Sequence, residues 1–169
     1  MKNIIDAIKA NRLKDVYFGT TGFRVADESS IDRFQLGYSK DKDGKYISGS
    51  SEGDWQKTWV VIATDTEVGD PIFVDTSKSS LPVYTAMHGV GEWDAELVAT
   101  SLSSFLEILS YLYQLTKQEF ALIEPNERTI TNPKELAAIE SKLIEISGEK
   151  DYWQNFIEEY QEWLEEFED

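Results

Sequence analysis

Trp59-Val60-Val61-Ile62-Ala63-Thr64-Asp65, Gly69-Asp70-Pro71-Ile72-Phe73-Val74-Asp75 and Pro82-Val83-Tyr84 follow one another closely, and Ser101-Leu102-Ser103-Ser104-Phe105-Leu106-Glu107-Ile108-Leu109 comes after them. The first three runs are rich in β-branched and aromatic residues and are bounded by Asp, Gly and Pro, the pattern of strands between turns. Trp59–Ala63 is almost continuously apolar, which predicts a central strand covered on both faces, with Trp59 in the core. Pro71 opens the second strand at a position that needs no ladder donor. A third strand is predicted over Val83–Met87. The connections are too short for parallel crossovers, so the pairing is expected to be antiparallel.

Downstream the periodicity changes to that of helices. Phe105, Leu106, Leu109, Leu112, Tyr113 and Leu115 form one face at helical spacing. Ser104 with Glu107 is a capping-box pattern, and Ser101 or Thr100 is the alternative start, one turn earlier. Asn132-Pro133-Lys134-Glu135 supplies an N-cap, a proline at the first helical position and an acid in the first turn. That helix is expected to end at Gly148. Asp151 is expected to cap a last helix with Trp153, Phe156, Ile157, Tyr160, Leu164 and Phe167 on its buried stripe and Trp163 at the margin. Upstream, Ile4, Ile5, Ile8 and Leu13 predict a short helix. Gly19-Thr20-Thr21-Gly22 breaks the chain. Phe23–Tyr38 is expected to be irregular, with Phe34, Leu36 and Tyr38 alternating inward on a short strand. Asp43-Gly44 suits a hairpin tip, and Ser48–Asp54 reads as a polar loop.

The predicted class is therefore α+β: a central antiparallel sheet flanked by helices, with a C-terminal helical extension. A chain of 169 residues is long enough for one sizeable core. The loop from Glu124 to Thr131 divides it into an α+β core over residues 1–125 and an acidic helical extension over 126–169, packed on or beside the core.

Formal net charge is -16, which argues against nucleic acid as a direct partner, because phosphate recognition relies on clustered Lys and Arg. The same field steers a basic protein partner, although acidity also serves simple solubility. From Glu149 to Asp169 there are nine acids against Lys150 alone. Acids late in a helix oppose its dipole; the face from Glu158 to Asp169 is either a solvated surface or a polyanion mimic. With 0 Cys, disulfides, thiol catalysis and cysteine-based zinc sites are excluded. The N-terminus carries an early acid, Asp6, and no continuous apolar stretch of the signal-peptide kind. No run approaches the ~18 apolar residues of a membrane span. A cytoplasmic location without membrane association is expected.

In order and spacing, Trp59–Asp65, Gly69–Asp75, Pro82–Tyr84, His88-Gly89, Glu92-Trp93 and the helix led by Phe105 resemble the SUKH superfamily, the cell-wall-assembly-regulator group that includes many bacterial immunity proteins. The likeness covers roughly residues 30–115. The chain departs from that family in lacking a clear Leu-Pro-led opening segment and in carrying the helical tail. The resemblance implies an α+β domain that binds and neutralises a cognate toxin, often a nuclease or deaminase. Its alternative is a regulatory scaffold of the cell-wall-assembly-regulator type.

Little in the chain equips it for catalysis. His88 is the only histidine, and beside Gly89 and Gly91 it reads as a turn residue whose ring bonds the backbone. There is no nucleophile elbow and no phosphate-binding glycine loop. Asp65, Glu67, Asp70 and Asp75 have the oxygens of a hard-cation site but not the loop pattern, and acids beside Gly and Pro are ordinary turn chemistry. Neither metal nor organic cofactor is expected. Trp55 and Trp93 lie beside Asp54, Glu92 and Asp94; such rings either anchor a basic protein surface or cover the edge of the sheet. The expected contacts with a basic toxin are Trp55, Asp65, Asp70, Glu92, Trp93 and Asp94, with the acidic tail face as the alternative.

Overall fold

The computed structural model describes residues 1–168, so Asp169 of the acidic tail lies outside the described residues. Helix α1 (Lys2–Asn11) leads into the hairpin of β1 (Asp15–Phe18) and β2 (Thr21–Val25), followed by the single helical turn α2 (Ile31–Phe34). After a long irregular stretch come β3 (Trp59–Asp65), β4 (Pro71–Asp75), β5 (Val83–Thr85) and β6 (Glu96–Ala99). Helices α3 (Leu102–Thr116), α4 (Pro133–Ser147) and α5 (Asp151–Glu165) complete the chain. The strands form one six-stranded antiparallel sheet in sequence order. The fold is α+β, with β3 in the sheet's interior as the sequence predicts.

Alternation along β4 divides the sheet into two faces. Ile72 and Val74 point into the main core under the helices, whereas Phe73 points to the opposite face. In β3, Val61 joins the opposite face and Ile62 and Ala63 the main core; the register shifts between Val61 and Ala63. A bulge of this kind lets two successive side chains serve one core. Helices α3, α4 and α5 enter that same cluster through Phe105, Leu109, Leu136, Leu143, Trp153 and Tyr160. The tail helices thus share their core with the sheet.

Local signals explain the helix boundaries. Ser101 caps α3, its side chain accepting from the Ser104 N–H, so the earlier of the two expected starts is used. Asn132 caps α4 by accepting from Lys134 and Glu135, and Gly148 ends it with φ 69°. Asp151 does not cap α5. It is the first helical residue, after Lys150, and its own N–H is satisfied by the Glu149 carboxylate at 2.9 Å. Phe167, expected on the buried stripe, is 46% exposed, because the helix ends before it. Trp163, expected at the margin, is buried at 7% exposure.

Three sheet elements depart from expectation. The residues flanking Gly19-Thr20 pair as a hairpin with Phe18 opposite Thr21. Gly19 has φ 64° at the first of the two loop positions, where hairpin turns of this length favour glycine. The expected strand through Phe34, Leu36 and Tyr38 is α2 and a series of turns. Asp27 Oδ1 accepts from the N–H groups of Ser29 and Ser30, and Ser30 Oγ accepts from Asp27 N–H, which starts a helical turn instead. The buried Gln35 that follows acts as a strand surrogate: its amide donates to Val61 O at 2.8 Å and accepts from Val61 N–H at 3.0 Å. The third expected strand stops at Thr85, leaving Met87 64% exposed, and β6 is an additional strand.

Candidate partner-binding groove

Helix α5 lies across the strands. At its start the Trp153 indole donates to Val98 O on β6 at 2.8 Å; further along, Phe156 stacks on Phe23 of β2. Tyr160 then stacks on Phe18 of β1 with ring centroids 4.4 Å apart. Close approach at the hairpin tip requires glycine there, since a Cβ on Gly19 would lie 2.5 Å from the Tyr160 ring. Gln118 clamps the same point from the end of α3, accepting from Gly19 N–H and donating to Gly19 O.

Between α5 and the strand ends runs a groove of about 880 Å³. Asp65, Glu67, Asp70 and Glu96 line it on the sheet side, and Glu159, Glu162 and Glu166 line it on the helix side. Phe23, Tyr152, Phe156 and Trp163 contribute apolar surface, and Ile123, Met87 and Val68 line it while remaining 90%, 64% and 62% exposed. The lining holds no Lys, Arg or His.

These carboxylates are placed in two ways. Asp65 and Asp70 are fixed by their turn: Asp65 accepts from the N–H groups of Glu67, Val68 and Asp70. Asp70 accepts from His88 N–H and sits 2.6 Å from His88 Nδ1. The His88 ring therefore meets a carboxylate, where a backbone partner was expected. Glu159 and Glu96 feel their surroundings instead. Burial, followed by the charges of Glu67, Glu162 and Asp65, raises the carboxyl pKa of Glu159. Glu96 is raised by burial, then by Glu149, Asp151 and Asp94. Like charges at close range disfavour ionisation, and a cation entering the groove would relieve them.

The remaining expected contacts lie elsewhere. Trp55 is 2% exposed in the cluster on the opposite face, with Val61, Phe73 and Ala86. Its ring lies edge-on to Trp59 and Trp93, with centroids 5.4 and 5.2 Å away, and its indole donates to Trp59 O at 3.3 Å. As folded, it presents almost no surface to a partner. Trp93 is half-buried in the same cluster, its N–H bonded to Gly53 O at 2.8 Å, while Glu92 and Asp94 are exposed beside it. The structure thus joins Asp65 and Asp70 to the acidic tail face, two candidate sets that are far apart in sequence, and separates both from Trp55 and Trp93. Glu96, Ile123 and Tyr152 belong to the groove and carry no sequence motif; only the α5 stripe, placed across the strand ends, brings them in.

Among the described residues no cluster of three His, Asp or Glu side chains is arranged to hold a metal ion, and no helix is long and apolar enough to cross a membrane. Against family models, curated proteins and solved structures alike, the chain finds no match.

Proposed function

We propose that this chain is a non-catalytic immunity protein that binds a basic bacterial toxin and occludes its working site through the groove beside α5. The observation that carries the proposal is the groove's lining, seven carboxylates and exposed apolar side chains with no basic residue. The SUKH-like order of sequence elements supports the immunity class, and the lining supports the partner's charge. Binding has two stages on this reading. The -16 field accelerates encounter, and desolvation of the groove's apolar side chains then sets residence time. No bond is made or broken.

Co-expression with a toxin encoded beside this chain tests the proposal directly. Growth is expected to be rescued by the intact chain and lost when Glu159 and Glu162 are both changed to Lys. Stopped-flow association should slow steeply as the Debye length falls from ~10 Å at 0.1 M to ~3 Å at 1 M salt, with dissociation changing less. An association rate indifferent to salt would return the acidity to a role in solubility. Stable capture of several unrelated partners without protection would favour a regulatory scaffold.

A further inference from the structure

We propose that what enters the groove is a basic amphipathic α-helix of the partner, about four turns long, with an apolar stripe flanked on both sides by Lys or Arg. The inference rests on the binding role proposed above and specifies the partner's chemistry.

Length is read along the groove's two walls, which run side by side. Its α5 wall runs from Tyr152 to Glu166, which at ~1.5 Å per residue extends ~21 Å. Across the sheet it passes from β2 to β6, four strand spacings of ~4.8 Å, or ~19 Å. A helix of ~14 residues has the same length.

An extended peptide is held mainly by main-chain hydrogen bonds to an open strand edge. The groove offers strand ends, whose backbone is already engaged: Asp65 N–H bonds Asp70 O, and Thr66 N–H bonds Gly22 O. A helix satisfies its own backbone and needs only side-chain contacts. Glu159, Glu162 and Glu166, spaced by three and four, fall on one face of α5, so a partner helix alongside can meet them with cations once per turn. Helix α5 itself has no Lys or Arg over Asp151–Glu165 to neutralise them. Among the described residues, Asp70 is the one groove carboxylate within 4 Å of a basic side-chain nitrogen, His88 Nδ1. Apolar rims without charge would suit any amphipathic helix, and charge without rims any polycation; the combination selects the basic amphipathic one.

The probe is a fluorescein-labelled peptide of about 16 residues, near the length at which isolated helices become marginal, with leucines on one stripe and Lys and Arg beside it. A scrambled peptide of identical composition is the comparison. Anisotropy should show the amphipathic peptide binding at least roughly tenfold tighter than the scrambled one, with helix induced on binding. Ile123→Ser should weaken it severalfold, and the double variant Glu159→Lys, Glu162→Lys should abolish it. Reversal at Glu107 and Glu135, exposed and outside the groove, should leave most of the affinity. All these side chains are solvent-exposed, and circular-dichroism melts check that each variant folds. Equal affinity for the scrambled peptide, displacement by spermine at matched charge, or equal loss from the outside reversals would overturn the inference. A toxin neutralised through another surface, with the peptide rejected, would refute the helix and spare the immunity role. Peptide binding as described without neutralisation of any toxin would do the reverse.

Discussion

Acids and aromatic rings sit side by side in two regions of this molecule, with opposite outcomes. Around Trp55, the rings of Tyr38, Trp59, Phe73 and Trp93 pack against one another on the sheet face away from α3, α4 and α5. The neighbouring Asp54 is engaged locally, accepting from Ser51 N–H at 3.0 Å. Along α5, Trp153, Phe156 and Tyr160 are equally buried, but the acids of the next helical face stand over an open groove. The difference is geometric. A covering loop can wrap its aromatics down onto a sheet and close the surface it covers. A straight helix laid across strand ends buries one stripe and leaves a concavity beside it.

Removing the tail should produce the largest effect. Helices α4 and α5 supply Leu136, Leu143, Trp153 and Tyr160 to the main core, so cutting after Pro125 uncovers the Phe23, Phe105 and Leu109 side of it. Gel filtration should report aggregation, with loss of a cooperative melt. A monomeric truncated chain with an unchanged melt would make the tail an independent arm and dissolve the groove as a site. Trp55→Ala comes next, with an expected loss of ~3–5 kcal/mol, as for other buried large-to-small changes, measured by denaturant unfolding. Unchanged stability with weakened partner binding would instead mean that the ring leaves its cluster to act as an anchor.

Legibility of the fold followed the strength of local signals. The strands β3 and β4 and the start of α4 were readable because their β-branched runs and the Asn132-Pro133 cap act locally. The hairpin of β1 and β2 was not, since each strand is only four or five residues long and Gly22 and Arg24 dilute the second. Only pairing across Gly19-Thr20 defines it. The Phe34-Leu36-Tyr38 alternation pointed to a strand, but the Asp27–Ser30 turn overrode it. Direction was the harder problem at the candidate site. Acids beside Trp55 in sequence do not reveal which way its ring leaves the chain, and the groove exists only once α5 is placed against the ends of strands distant in sequence. Asp65, Asp70 and the acidic tail were identifiable as acidic surfaces, yet the convergence of Asp65 and Asp70 with Glu159, Glu162 and Glu166 was not.

Gly19 links the hairpin to the groove, so Gly19→Ala sharpens the contrast at a single atom. Positive φ penalises an L side chain by ~1–2 kcal/mol, and overpacking adds ~1–3 kcal/mol. The added Cβ would meet Tyr160 at 2.5 Å and Trp163 at 3.0 Å. A loss of ~2–5 kcal/mol is expected on those grounds, along with weaker peptide binding as α5 lifts. The Trp55 cluster, on the other face, should keep its near-ultraviolet circular-dichroism signature. Stability unchanged by the substitution would mean that α5 is not held at the hairpin tip.

The smallest effect expected is on the pH dependence of stability, and its sign separates the groove from the turns. Glu96 and Glu159 have carboxyl pKa values raised above 4.5, first by burial and then by neighbouring acids. Native protein therefore binds their protons more tightly than unfolded chain does, so stability falls as pH rises through their folded pKa values and is regained on mild acidification. The opposite holds for Asp27, whose carboxyl the Ser29 and Ser30 hydroxyls hold well below 3.8. At Asp75, burial pushes the carboxyl up, but hydrogen bonds from Ser77 and Thr58 outweigh it and the net shift is downward. Those two contributions are present above the unfolded value and are lost as pH falls through the folded one. Tm should accordingly rise on mild acidification and decline as pH falls below about 4, where the Asp27 and Asp75 contributions begin to be lost. Glu96→Gln with Glu159→Gln should flatten the rise and leave the acid decline in place. If the paired variant keeps the rise, burial and acidic crowding around Glu96 and Glu159 are not its source, and these two carboxylates are no more strained than those of any solvated surface.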